Sequence, residues 1–431
     1  MPTTRRQFIR TTANGAAITA LPFARSVFAQ DTPSDTVIVG VMGMGRGASL
    51  AGGFESQPNS LVKYVCDVDE NRANQAANNL EKAKGRRPQV ITDFQKMLDD
   101  PKLDAFVCAA PNHWHAPATI LACKAGKHVY VEKPCSHNAR EGELQIEAAR
   151  KYKRIVQMGS QRRSFPKIIE GIELLHAGEI GRVYYSRAWY ANSRGAIGKV
   201  EPAEVPANFN YDLWQGPAPR APYRTNVIPY NWHWFWHYGG GELANNGIHA
   251  LDLSRWGLGV DFPTRVTAGG GRYHWDDAQE TPDTMTCTFD FPDKKSILWE
   301  GLSCNRLGIA EGFGASFHGE KGSLMLGSSG YSLYDGTGRK KKDVPGPGAD
   351  GPHFEDFLSC IRAVGTDGPT KLPNADIERG HRSTLLCHLG NIAYRTGRTL
   401  NCDPKNGHIK DDKEAMGLWS REYEKGWEPK V

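Results

Sequence analysis

The chain has 431 residues, 39% hydrophobic and 23% charged, with 53 Lys and Arg against 48 Asp and Glu. That length exceeds what one core comfortably serves, so two domains are expected. The composition is ordinary for a globular protein, and the near balance of charge argues against a nucleic-acid binder, which would concentrate a basic surplus.

In chain order, Thr4 to Arg10 (TRRQFIR) precedes the apolar stretch ANGAAITALPF and the small-residue exit Val27-Phe28-Ala29. These are the three regions of a removable export signal, and the paired arginines followed by Gln, Phe and Ile match the twin-arginine type. Residues 1–29 are therefore expected to be a signal peptide and the mature protein periplasmic. The apolar stretch is too short to be a membrane span. Removal takes away four arginines and no acid, leaving 49 basic against 48 acidic residues. Twin-arginine export carries folded proteins, so a cofactor loaded beforehand could travel inside.

Residues 30–159 alternate apolar strand patterns (37–41, 61–66, 104–109, 127–131 and RIVQMGS) with helical ones, including one at about 116–125. That rhythm predicts βαβ units, a parallel sheet and a Rossmann dinucleotide-binding domain. Residues 160–431 open with a helix over 165–178. Alternating strands joined by Gly, Pro and Asp turns follow, and then helices over 353–364 and 375–396. This reads as an α+β domain with a large, mostly antiparallel open sheet. The cluster GRKKKD at 338–343 reads as a solvated loop. The nine cysteines of the mature chain show no CxxC or Cys/His metal spacing, so they are read as structural and no metal is expected.

Three motifs carry chemistry. In GVMGMGRGA, Gly43, Gly45 and Ala48 satisfy G-x-G-x-x-G/A after a strand, with Arg46 and the flexible Gly47 beside them. Asp67 ends the next strand, where a carboxylate accepts ribose hydroxyls and repels a 2′-phosphate, favouring NAD over NADP; Arg46 leaves NADP open. In AAPNHWHAP, Pro111, Asn112 and His115 lie at a strand's carboxyl end, where cofactor or substrate is met. In VYVEKP, Glu132 and Lys133 end a strand before Pro134, which places the Lys133 ammonium to hold a substrate hydroxyl and stabilise an alkoxide.

Together these motifs resemble the glucose–fructose oxidoreductase / inositol dehydrogenase / MocA family over nearly the whole mature chain. The resemblance implies a Rossmann domain plus a larger domain whose open sheet often makes a dimer or tetramer interface. It also implies redox chemistry at a carbinol carbon of a sugar or cyclitol, with Lys133 as the family's Glu-Lys-Pro lysine. The family's Asp-x-x-x-His element matches ELANNGIHALD, with His249 as general base and Asn245 where many members have aspartate. On a helix, Asn245 and His249 would share one face, and Glu242 or Asp252 are alternative acids. Glycines 239–241 would let a substrate ring approach. The upstream YNWHWFWHYGGG offers Trp232, His233, Trp236 and His237 as a carbohydrate surface, with Tyr190, Arg163 and Arg194 as further contacts. The expected activity is an NAD-dependent sugar or cyclitol oxidoreductase. Its rivals are a glycoside hydrolase using NAD transiently and a non-catalytic carbohydrate-binding protein.

Overall fold

The computed structural model describes residues 35–306 and 312–431, so the twin-arginine segment lies outside the described residues. Six strands, β1 (Val37–Met42), β2 (Ser60–Cys66), β3 (Gln89–Ile91), β4 (Ala105–Cys108), β5 (His128–Val131) and β6 (Val156–Met158), form one sheet. Their order is β3-β2-β1-β4-β5-β6, and every pairing is parallel. The order reverses between β1 and β4, and that switch point is where doubly wound sheets bind dinucleotides. β4 and β5 are buried along their whole length, as strands covered on both faces must be.

The helix after β4 runs Asn112–Lys124, four residues earlier than its sequence pattern suggested. Pro117 resembles a first-turn proline but lies inside the helix, so residues 112–115 form helical turns and not a loop.

The second sheet contains β7 (Val183–Ala191), β8 (Arg265–Gly271), β9 (Thr284–Phe291), β10 (Lys295–Leu302), β11 (Phe313–Gly319), β12 (Gly322–Leu326), β13 (Tyr331–Asp335), β14 (Lys340–Val344) and β15 (Leu400–Asn401). Their order is β14-β13-β12-β11-β7-β10-β9-β8-β15. β7 and β10 pair in parallel; the other pairings are antiparallel. Alternation is regular: on β9, Met285, Cys287, Phe289 and Phe291 are buried and the residues between them are not. The buried face packs against helices Ile248–Leu258 and Ile377–Thr396. The lysine cluster is an edge strand and not a loop: β14 pairs with β13 while its lysines stay exposed, a charge pattern that blocks further strand addition.

The chain then returns to the first sheet. Phe354 and Phe357, on helix Gly351–Arg362, pack with Phe54 and Tyr130, and the Phe54 and Phe354 ring centroids are 4.6 Å apart. The cysteines are all free, and all but Cys304 are buried.

Candidate functional site

A cleft of about 1100 Å³ runs along the carboxyl edge of the parallel sheet and on under the second domain. At one end lies the glycine turn. Gly43 has φ +88°, and a Cβ there would sit 2.5 Å from the Ala109 carbonyl oxygen. Only glycine fits such a turn. Helix Arg46–Glu55 follows with no side-chain cap and no acid in its first turn, leaving backbone N–H groups for an anion. A Cβ at Gly45 would meet nothing closer than Arg72 Nη1 at 3.9 Å, so a ligand has room beside the backbone. The Asp67 carboxylate accepts from Met44 N at 2.6 Å and from Asp69 N at 2.9 Å. Burial pushes its pKa up, and those two N–H bonds oppose the shift. Arg46 bonds to Glu132 (3.4 Å) and Asp350 (2.7 Å), which commits its guanidinium away from a 2′-phosphate. These residues fit a dinucleotide, and fit NAD best.

At the other end, residues Leu243–Gly247 form a π-helical turn leading into helix Ile248–Leu258. Asn and Gly are weak helix formers, and Gly247 is needed for close packing, since a Cβ would lie 3.0 Å from the Trp299 indole. π turns inside helices often mark functional sites. Here the turn brings both oxygens of Asn245 to Lys133: Nζ donates to the Asn245 carbonyl at 2.6 Å and to Oδ1 at 3.1 Å. Burial lowers the Lys133 pKa, while Glu132 and Glu242 oppose this.

His249 has no hydrogen-bond partner among the described residues and lines the cleft. Its ring makes an edge contact with Phe313, centroids 6.4 Å apart. Burial first, then Arg162 and Lys133, hold its pKa well below 6.5, so the ring is neutral at pH 7.

A polar chain surrounds this pair. Asn245 Nδ2 donates to Tyr230 Oη (3.5 Å), and Arg194 donates to the same oxygen (3.3 Å) and to Glu242 (2.7 Å). Glu242 also accepts from Ser303 and Asn246. Burial opposes the charged Arg194, but Glu242 more than compensates and raises its pKa. Glu242 is therefore an anchor for Arg194, not a free acid. Asp252 is likewise spent: Arg163 grips it at 2.8 Å and Ser383 donates to it at 2.6 Å, which removes Arg163 from the site as well.

Of the residues singled out in the sequence, Gly43, Gly45, Arg46, Asp67, Pro111, Asn112, His115, Glu132, Lys133, Trp232, His233, Asn245 and His249 line this one cleft. Gly47 lies beneath it, packed on Val41 and Met44, where a Cβ would be 3.2 Å from each side chain; it serves helix–strand packing. His115 acts as a strut, its ring nitrogens 2.5 Å from the Pro134 carbonyl and 2.7 Å from that of Ala110. It ties together the two loops that carry Pro111 and Lys133.

Two expectations need correction. Trp236 and His237 line a separate cavity of about 430 Å³. The short 3₁₀ helix Asn231–Trp234 ends before them; Trp236 then lies under Arg395 (5.2 Å) and His237 bonds to the Pro219 carbonyl (2.9 Å). Glycines 239–241 admit protein and not a substrate ring: a Cβ at Gly239 would strike the His233 backbone at 2.6 Å, and one at Gly241 would strike Thr281 at 2.7 Å. Conversely, Tyr190, Arg194 and Tyr230 do line the cleft, as do Asn208, Phe209 and Trp214, the last three without any sequence motif.

Residues 35–160 match the family model described as "Oxidoreductase family, NAD-binding Rossmann fold", and residues 186–429 match "Oxidoreductase family, C-terminal alpha/beta domain". Among curated proteins, the chain is 27% identical over 217 residues to scyllo-inositol 2-dehydrogenase (NAD(+)) of Bacillus subtilis, covering 50% of this chain and 51% of that one. It is 30% identical over 162 residues to a "Glycosyl hydrolase family 109 protein" of Saccharopolyspora erythraea, covering 36% of this chain and 35% of the relative. The chain thus spans about a third to a half of these relatives' length. A solved levoglucosan dehydrogenase, in complex with NADH and levoglucosan, shares the fold at a TM-score of 0.66 and 18% identity, over 85% of this chain and 99% of that one. Among the described residues no helix is long and apolar enough to cross a membrane, and no cluster of His, Cys, Asp and Glu could hold a metal. With the glycine turn, the Glu-Lys-Pro lysine and both domain matches in place, the chain belongs to the Gfo/Idh/MocA oxidoreductase family.

Proposed function

We propose that this is an exported, periplasmic, NAD-dependent oxidoreductase acting on a carbinol carbon of a sugar, sugar derivative or cyclitol, with its cofactor held between turnovers. One observation carries the reading: Lys133 Nζ and an unpartnered His249 imidazole both line a cleft that begins at the glycine turn. Bound NAD supplies a hydride acceptor or donor. Two of the Lys133 ammonium protons are fixed by Asn245, leaving one N–H to hold a substrate hydroxyl and favour its alkoxide. Neutral His249 accepts the hydroxyl proton in oxidation and returns it in reduction. Asn245 carries no charge and exchanges no proton, so it orients Lys133 and leaves proton transfer to His249.

Substrate recognition falls to the Tyr190 and Tyr230 phenols and to His233. The His233 ring stacks on Trp232 with centroids 3.6 Å apart, and its Nδ1 donates to the Tyr230 carbonyl, leaving Nε2 as an acceptor for a sugar hydroxyl. We further assign a homo-oligomer, dimer or tetramer, packed through the outer face of the nine-stranded sheet, where Leu298 and Thr288 are half-buried and Tyr184 is exposed. Light scattering tests this, and a monomer at micromolar concentration would refute it.

The enzymatic test is direct. Protein purified without added cofactor is denatured and the supernatant assayed for nicotinamide; the intact protein is then offered a panel of sugars and cyclitols in single turnover. Release of nicotinamide and its reduction by a panel member are expected. No released nicotinamide overturns the held cofactor, and no reduction by any member overturns the carbinol reading.

The similarity to family-109 glycosyl hydrolases favours a second reading. In that reading hydride would leave a ring carbon, the neighbouring C–H would become acidic, and the glycosidic substituent would be eliminated and depart with a proton. Water would add across the resulting double bond, and the same hydride would return to the ring carbon, with no net redox change. Cleavage of an aryl glycoside with no added electron acceptor distinguishes it from the first.

A further inference from the structure

The second domain crosses the cofactor end of the cleft at residues 206–214. Phe209 forms an antiparallel bridge with Asp69. Glu70 N donates to the Asn208 carbonyl at 3.1 Å, and Asn210 N donates to the Val68 carbonyl at 2.9 Å. Asn208 Nδ2 donates to Asp69 Oδ1 at 2.9 Å, on the residue that also caps helix Glu70–Lys84. This side of the segment is thus sewn to the chain immediately after Asp67.

The other side is fixed to a different element. Asn210 caps the short helix Tyr211–Gln215, and the Trp214 carbonyl accepts from His113 Nε2 at 2.8 Å and from Trp114 Nε1 at 2.9 Å. Both donors belong to the helix that follows β4. Gly216 lies so close to the Trp114 ring that no side chain fits there. The segment therefore spans from the end of β2 to the start of the helix after β4, the two elements that flank β1 and its glycine turn. Between its fixed ends, Pro206, Asn208, Phe209, Leu213 and Trp214 face the same cleft as Asp67 and Arg72.

We propose that residues 206–214 are a clasp that closes over the ribose end of a dinucleotide lying on the glycine turn, so that cofactor leaves only when the bonds to Val68–Glu70 open. The proposal rests on the NAD reading above and gives it a structural cause: retention comes from a strap of the second domain as well as from contacts with the Rossmann turn. The end that opens is the Asn208–Asn210 pairing and the hinge is the Trp214 end, which is held by two side chains that are themselves buried.

The test uses the full mature protein loaded with NADH. Its release into excess unlabelled NAD is followed by fluorescence in the wild type and in N208A/F209A, with folding checked by near-ultraviolet circular dichroism. Release at least about tenfold faster in the folded variant is expected; release at the wild-type rate overturns the clasp. Should the double variant fail to fold, hydrogen exchange on the wild type decides. The Glu70 and Asn210 amides should exchange more slowly with NADH bound than after it is stripped, and equal exchange overturns the clasp. Failure of the underlying reading looks different: wild-type protein then binds no NADH at all.

Discussion

The two ends of the cleft are built on different plans. The cofactor end uses backbone: a glycine turn, an uncapped helix N-terminus and residues standing at the carboxyl ends of successive parallel strands. The substrate end uses side chains from scattered segments, namely the end of β7, the 3₁₀ turn at Asn231–Trp234 and the π turn at Leu243–Gly247. Lys133 is where they meet. A backbone-built end repeats with the fold and tolerates little change; a side-chain-built end varies residue by residue while the sheet beneath it stays the same.

Removing Lys133 should separate the ends most sharply. Lys133→Ala is expected to lower kcat by about 10³-fold, within the range for loss of a donor that stabilises a developing oxyanion, while NADH still binds. Loss of NADH binding with turnover retained at saturating cofactor would assign the lysine to the cofactor end alone.

His249→Gln should cost about 10²-fold in kcat/KM. In the wild type, burial and the charges of Arg162 and Lys133 keep the imidazole deprotonated. Its acid limb should therefore lie well below pH 6.5, with kcat/KM flat as pH falls through that value. An acid limb at 6.5 or above that vanishes in His249→Gln would contradict this.

A third expectation spans both ends and the second cavity. Burial lowers the pKa values of His113, His233 and His388 to about 3 and those of His115, His353 and His381 to about 4. Above pH 6.5 these rings are neutral whether the chain is folded or not, so they do not affect stability. As pH falls from 6.5 toward 4, only the unfolded chain takes up their protons. Each then removes up to about 1.4 kcal/mol of stability per pH unit. Urea midpoints should fall steeply over that window; midpoints independent of pH there would show the rings to be hydrated.

Smaller effects sharpen the contrast within the substrate end. Asn245→Asp sets a carboxylate against the Lys133 ammonium, so the basic limb of kcat should move up by about one to three pH units. Trp236→Ala and His237→Ala, which face the other cavity, should leave kcat/KM within about a factor of two. A tenfold loss in either would reconnect the two cavities.

What could be read from the sequence follows the same division. The parallel sheet, its strand ends and the line from Gly43 through Asp67 to Lys133 were legible because backbone geometry imposes spacing. Lys133 and His249 were found through motifs, and both line the cleft. The aromatic run at 230–237 misled at its far half, since composition marks a surface but not where a turn redirects it. The clasp left no mark: Asn208 and Phe209 act through carbonyls, amides and a single amide side chain, and loop asparagines of that kind are common. The early start of helix Asn112–Lys124 was hidden by Pro117, and the edge strand β14 by its lysines.

The π turn gives the substrate end a dependence on counting. A π turn holds one residue more than the α-helical path would, and one residue in an α-helix is about 100° of rotation. Deleting Asn246 or Gly247 would therefore swing Asn245 about a quarter turn relative to His249 and withdraw its oxygens from Lys133. The side chains along the cleft would be unchanged in kind and wrong in phase, so the spacing of this turn constrains the substrate end as much as the identity of its residues does.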